Sequence, residues 1–175
     1  MGIIRITALL LSLLLVLSGC SLQSRVELDY ADTAFECEVS WQTEGTVYRA
    51  HLSVSAPAES GRDISVSFYE PSALCGVTAK RISGKTTLSL GNIEIPLETS
   101  GLLEIAELFE TDGEIVSSSL VQSGEEKLNL ITLEQSDGES LEIYLSRDGI
   151  PKRIDQISGG AISELYVLWF KKKQE

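Results

Sequence analysis

The chain has 175 residues, 43% of them apolar, with 14 basic and 26 acidic side chains and a formal net charge of −12. That length suits one domain with its own core, and so acidic a surface repels nucleic acid and anionic headgroups, which argues against nucleic-acid binding. One histidine and three cysteines, without His-x-x-x-His or Cys-x-x-Cys spacing, are too few for a metal cluster, and no phosphate-cradling glycine loop calls for a cofactor.

Met1 to Ser18 have the three parts of an export signal: a charge at Arg5, an apolar stretch from Ile6 to Val16, and small residues ahead of Cys20. The stretch is shorter than the roughly 20 apolar residues that cross hydrocarbon. Leu17-Ser18-Gly19-Cys20 is the pattern a bacterial lipoprotein signal peptidase accepts. Residues 1–19 therefore read as a lipoprotein signal peptide and Cys20 as the site of lipid attachment, against the alternative of an ordinary secretory signal with Cys20 incidental. Acyl chains there would supply about 0.8 kcal/mol of membrane binding per buried methylene. The expected location is the extracytoplasmic face of the cell membrane, or the outer membrane in a host that has two, since Ser21 rather than Asp follows the cysteine. Residues 20–32 are polar and weakly periodic and read as a lipidated N-terminus and tether. Residues 33–170 make the folded domain, and residues 171–175 a basic tail that opens with Lys171-Lys172-Lys173.

Strand structure begins at Phe35, Cys37, Val39 and Trp41, which alternate with Glu36, Glu38 and Ser40. Glu44-Gly45 turns the chain, and Tyr48, Ala50, Leu52 and Val54 repeat the phase, which puts His51 on the outer face. Ile64, Val66 and Phe68 mark a third strand that Pro71 stops, because proline cannot donate to a ladder. Val77 to Ile82 follows, then Leu88 and Leu90 facing Ile93, Ile95 and Leu97 across Gly91-Asn92, a tight hairpin loop.

The period changes once. Leu102, Ile105, Ala106 and Phe109 fall at i, i+3, i+4 and i+7, Leu103 and Leu108 widen the stripe, and Glu104, Glu107 and Glu110 stay off it. This predicts a short amphipathic helix, capped by Thr99 or Ser100 and ended by Asp112-Gly113, serving either as a lid over an apolar cavity or as a plug of plain core. Strands resume at 114–121, 127–134, 139–146, 152–157 and 161–170, separated by Gly-rich and Asp-Gly turns. A phase slip between Leu130 and Leu133 suggests a bulge. The last strand is apolar on both phases and ends in Trp169-Phe170, which fits either a doubly covered core strand or an interface. The fold class is mainly β with one helix (α+β): a curved antiparallel sheet or half-barrel of about ten or eleven strands, with short links and the amphipathic helix on its concave face.

Export permits a disulfide between Cys37 and Cys75; two separately buried thiols are the alternative. The carboxylates Glu36, Glu38, Glu94 and Glu142 all fall on the wet phase of their strands, and no Gly-x-Ser-x-Gly elbow is present, so the chain reads as no enzyme.

Strands, an apolar helix, then more strands behind a lipobox resemble the superfamily of bacterial lipoprotein-carrier and localisation-factor (LolA-like) proteins. Two stretches carry the local likeness: Tyr69-Glu70-Pro71-Ser72-Ala73-Leu74-Cys75-Gly76-Val77 before the hairpin at Thr86 to Leu97, and Arg147-Asp148-Gly149-Ile150-Pro151-Lys152-Arg153-Ile154. The resemblance implies a half-barrel cupping an apolar cavity under helices. Carriers of that family have a helix before the first strand and an arginine that holds the lid, and neither is legible here. Those carriers are soluble shuttles, whereas this chain reads as membrane-anchored, so the resemblance implies binding more than transport: with the aromatic-rich inner phase, a cup lined by Phe35, Val39, Trp41, Tyr48, Leu52, Val54, Phe68, Leu102, Ile105 and Phe109 that takes an acyl chain or other apolar ligand. The alternative is a scaffold or accessory lipoprotein that binds another envelope protein, through an edge strand or Trp169-Phe170.

Overall fold

The computed structural model describes residues 28–98, 100–136 and 138–173. The leader, Cys20, Ser21 and most of the tether lie outside the described residues. Among those described, eleven strands form one antiparallel sheet: β1 (Phe35–Thr43), β2 (Thr46–Val54), β3 (Ile64–Glu70), β4 (Val77–Ile82), β5 (Lys85–Leu90), β6 (Ile93–Leu97), β7 (Glu114–Ser123), β8 (Glu126–Glu134), β9 (Ser140–Leu145), β10 (Pro151–Ser158) and β11 (Ala161–Lys172). The alternation of apolar and polar residues produces them, because period two is the only spacing that keeps every second side chain on one face of an extended chain. At Glu44-Gly45 both residues have positive φ (48° and 76°), the mirror-image turn whose twist matches the strands it joins.

The order across the sheet is β6-β5-β4-β3-β2-β1-β11-β10-β9-β8-β7. Sequence neighbours pair everywhere except at the middle, where β1 meets β11. The chain thus starts at the centre, walks out to the β6 edge, crosses to the β7 edge and walks back. The crossing segment is the amphipathic stretch, shorter as an α-helix than the spacing predicts: a 3-10 turn at Gly101–Leu103 leads into α1 (Glu104–Glu107). Ser100 supplies the cap, its hydroxyl accepting from the Leu102 amide at 3.3 Å. The sheet curls over this segment as an unclosed half-barrel, and Leu103, Ile105, Ala106, Leu108 and Phe109 are buried against the concave side. Each large side chain so buried contributes about 1.5–3 kcal/mol before the entropy of ordering is set against it.

The tether docks. Asp29–Asp32 form a 3-10 turn that drives Tyr30, 0% exposed, edge-on against Phe35 and Phe109. The basic run is likewise less free than a tail: Lys171 and Lys172 complete β11. The Lys173 amide donates to the Ala34 carbonyl at 2.8 Å, and its Nζ lies 3.0 Å from a Glu36 carboxylate oxygen. The Glu36 carboxyl is held below its ordinary range by that contact.

Two further expectations are corrected. The ladder irregularity falls on β7, between Ile115 and Ser117, opposite Leu133 and Thr132, while β8 itself stays in register with β9. The disulfide is not formed. Cys37 and Cys75 are both free thiols: Cys37 points from β1 into the core, whereas Cys75 is exposed in the turn after β3. Burial pushes the Cys37 thiol far up, so it stays protonated as a small apolar side chain.

Candidate binding face

Register places the inward residues in rows that run across the sheet. One row reads Phe170, Cys37, Leu52, Val66, Ala79, Leu88, Ile95. Its centre is fully buried from Cys37 to Ala79, Leu88 is half-buried, and Ile95 is 49% exposed. The next row ends in Val77, Leu90 and Ile93, and exposure climbs from 8% to 54% and 63%. The crossing segment therefore covers the middle of the cup and leaves the β5–β6 hairpin bare on its concave side.

The ten residues expected to line a cavity share the concave side, but at the centre they are packed against one another. Phe35 lies 5.3 Å from Phe109 and 5.0 Å from Phe170, ring centre to ring centre, and Trp41 lies 5.4 Å from Tyr48, which touches Phe68 edge-on. Val39, Leu52, Val54 and Ile105 are buried between them, and only Tyr48 and Leu102 are half-open. On this side Ile115 and Leu120 stay bare at the β7 edge, and the apolar surface left at the other edge is Leu90, Ile93 and Ile95, beside half-buried Leu88 and Leu74. Their alternation was legible as a hairpin; their exposure was not, because it depends on where the crossing segment stops.

An arginine does fasten the cover. Arg81 of β4 reaches the end of the crossing segment, with Nη1 2.8 Å from Glu107 and Nη2 2.6 Å from Glu110. Glu107 and Glu110 stand at i and i+3 and so present both carboxylates to one guanidinium. Burial nevertheless raises the Glu110 carboxyl above its ordinary value. Beside this latch a cleft of about 520 Å3 lies between Ala31-Asp32, the Pro57–Arg62 loop and Phe109–Asp112. Arg62 donates from Nη2 to the Ala31 carbonyl, which ties the docked turn to that loop.

On the convex face, Arg153 lies between the rings of Tyr144 and Tyr166, at 5.4 and 5.1 Å, and bonds Asp155 and Glu164 at 2.6 Å each. Asp155 is 4% exposed despite its outward phase, because this cluster covers it. Burial raises its carboxyl, and burial with the Glu142 bond pushes the Tyr144 hydroxyl up to about 12. Further along β11, Trp169 is 43% exposed and stacks on His51, and Leu168 is 55% exposed, while Phe170 turns inward to Phe35. The last strand is thus covered on one face and open on the other.

No protein-family model matches the sequence, and no curated protein matches it. Solved structures do match in fold. An uncharacterized conserved protein from Thermus thermophilus aligns over 87% of this chain and 85% of its own, at 17% identity and a TM-score of 0.55. MucB aligns over 84% of this chain and 56% of its own, at 12% identity and a TM-score of 0.50. A LolA superfamily protein from Nitrosomonas europaea aligns over 83% and 88%, at 12% identity and a TM-score of 0.45. The chain shares its fold with the Thermus thermophilus protein and with MucB. It spans little more than half the length of MucB.

Proposed function

We propose that the protein is a lipid-anchored, extracytoplasmic binding protein, without catalytic activity, whose half-barrel takes an apolar, lipid-like ligand on the concave face of the β5–β6 hairpin. The observation that carries this reading is the exposure of Leu90, Ile93 and Ile95 at 54%, 63% and 49%, three apolar side chains side by side on a concave face whose centre is buried. A contiguous bare apolar surface inside a concave fold is where an acyl chain gains free energy by leaving water. The anchor rests on Leu17-Ser18-Gly19-Cys20, and labelling with an alkyne palmitate tests it: wild type takes up label and Cys20→Ala does not. The ligand is tested by native mass spectrometry of the detergent-solubilised chain beside a lipid extract. An acyl species should accompany the wild type and be lost from Leu90→Glu and Ile93→Glu; equal amounts on all three would overturn the reading.

A second reading, an accessory role on another envelope protein, is favoured by the open outer face of β11, where Tyr166, Leu168 and Trp169 are 39%, 55% and 43% exposed. Aromatic residues beside an arginine are the usual anchors of protein interfaces. MucB, similar in fold, has itself been solved in complex with MucA. In native membranes, cross-linking from a photoreactive residue at Trp169 should give one discrete adduct with another protein under this reading and none without it.

A further inference from the structure

The two edges of the sheet are built differently. β6 is five residues long, carries Glu94, and contains Pro96, which has no N–H to offer a neighbouring strand. β7 is ten residues long and among the described residues pairs only with β8, none of them covering the other side of its backbone. From Ile115 to Ser123 it holds no charged residue and no proline, in a chain that is 23% charged. Its apolar side chains are bare: Ile115 is 46%, Val116 53% and Leu120 71% exposed. Long, uncharged and exposed edges are what sheet proteins normally blunt with charge, proline or a bulge; β7 has a bulge at its start, between Ile115 and Ser117, and neither charge nor proline from there to Ser123.

The order of residues along β7 says what fits it. Val116-Ser117-Ser118-Ser119-Leu120 reads nearly the same in both directions. If a second β7 lies antiparallel about a two-fold axis through Ser118, Ser117 meets Ser119, Val116 meets Leu120, and Ser118 meets itself. Apolar side chains then face apolar ones, serines face serines, and no carboxylate enters the paired segment. The self-complementary patch a two-fold interface requires is present in one strand. On the concave side the row Leu165, Ile154, Ile143, Ile131, Ser118 would continue directly into its symmetry mate.

We propose that two copies of this chain pair through their β7 edges, antiparallel and centred on Ser118, to form one continuous sheet. Residues directly opposite in an antiparallel pair have Cα atoms about 4.5–5.5 Å apart, within the span a disulfide bridges. Leu120 residues of the two copies, each two positions off the axis, would be about 14 Å apart. The test is oxidative cross-linking of the full chain in its membrane, with exposed Cys75 replaced by serine. Ser118→Cys should link to a dimer, and Leu120→Cys and the parent without a new cysteine should not. Independently, the detergent-solubilised wild type should sediment as a dimer at tens of micromolar, and Val116→Lys combined with Leu120→Lys should sediment as a folded monomer. Linking of Leu120→Cys as fast as Ser118→Cys, or a wild type that sediments as a monomer, would overturn the proposal.

Discussion

The β6 and β7 edges bound the same sheet, and both lie where the chain enters or leaves its crossing segment, yet their backbones are protected differently. β6 and its neighbour β5 show apolar side chains on the concave face while proline and glutamate guard the backbone. β7 also bears bare apolar side chains, but beyond its bulge at Ile115–Ser117 its edge backbone has no charge or proline and a run of small serines on it. An apolar face suits a ligand with no hydrogen-bonding pattern, and a free backbone suits another strand. Position at an edge therefore does not decide what an edge does; side-chain chemistry does.

The largest expected effect concerns what separates the edges. Phe109, fully buried between Tyr30 and Phe35, fixes the crossing segment, and Phe109→Ala should cost about 3–5 kcal/mol in denaturant unfolding. A cost below about 0.5 kcal/mol, the range of ordinary surface changes, would mean that the segment is a loose lid and not core. Next, Pro96→Val restores a donor to β6 and should make that edge sticky, raising self-association in sedimentation at least tenfold. No change would show that Pro96 does not guard the edge. Smaller again, Leu90→Glu should leave stability within about 0.5 kcal/mol of wild type, as for surface positions, while abolishing uptake of a fluorescent fatty acid.

The smallest effect is a slope in pH. Burial raises the Glu110 carboxyl above its ordinary 4.5 more than Arg81 lowers it. Above that value the folded chain keeps a proton that the unfolded chain has lost, so this group's contribution to stability is present at lower pH and falls as pH rises through its raised folded value. Glu110→Gln cannot titrate, so its melting temperature should decline less than wild type over that window; parallel declines would contradict the assignment.

Most strands were legible because alternation is local: the inward phase of β1, β2 and β9 follows directly from the order of their residues. So was the amphipathic stripe of the crossing segment. The closing pair β1–β11 joins residues far apart in sequence, and no local period encodes it. Tyr30 sits in a polar stretch with no periodic partner, and only docking shows that it completes the Phe35–Phe109 cluster. Arg81 continues the inward phase of Val77 and Ala79, where a charge is out of place unless something answers it. That was the available signal for a latch, and Glu107 and Glu110 are the answer. The cup residues had the right phase, but phase cannot say which inward positions are covered; the length and end-point of the crossing segment decide that.

The central claim is that the bare concave face of the β5–β6 hairpin is the ligand site. Native mass spectrometry of the solubilised full chain, wild type against Leu90→Glu and Ile93→Glu, tests it most directly. The account predicts an acyl-sized adduct on wild type, matched in the lipid extract, and its absence from both variants while their melting temperatures hold. A wild type free of adduct and unable to take up added fatty acid, with the fold intact, would contradict it.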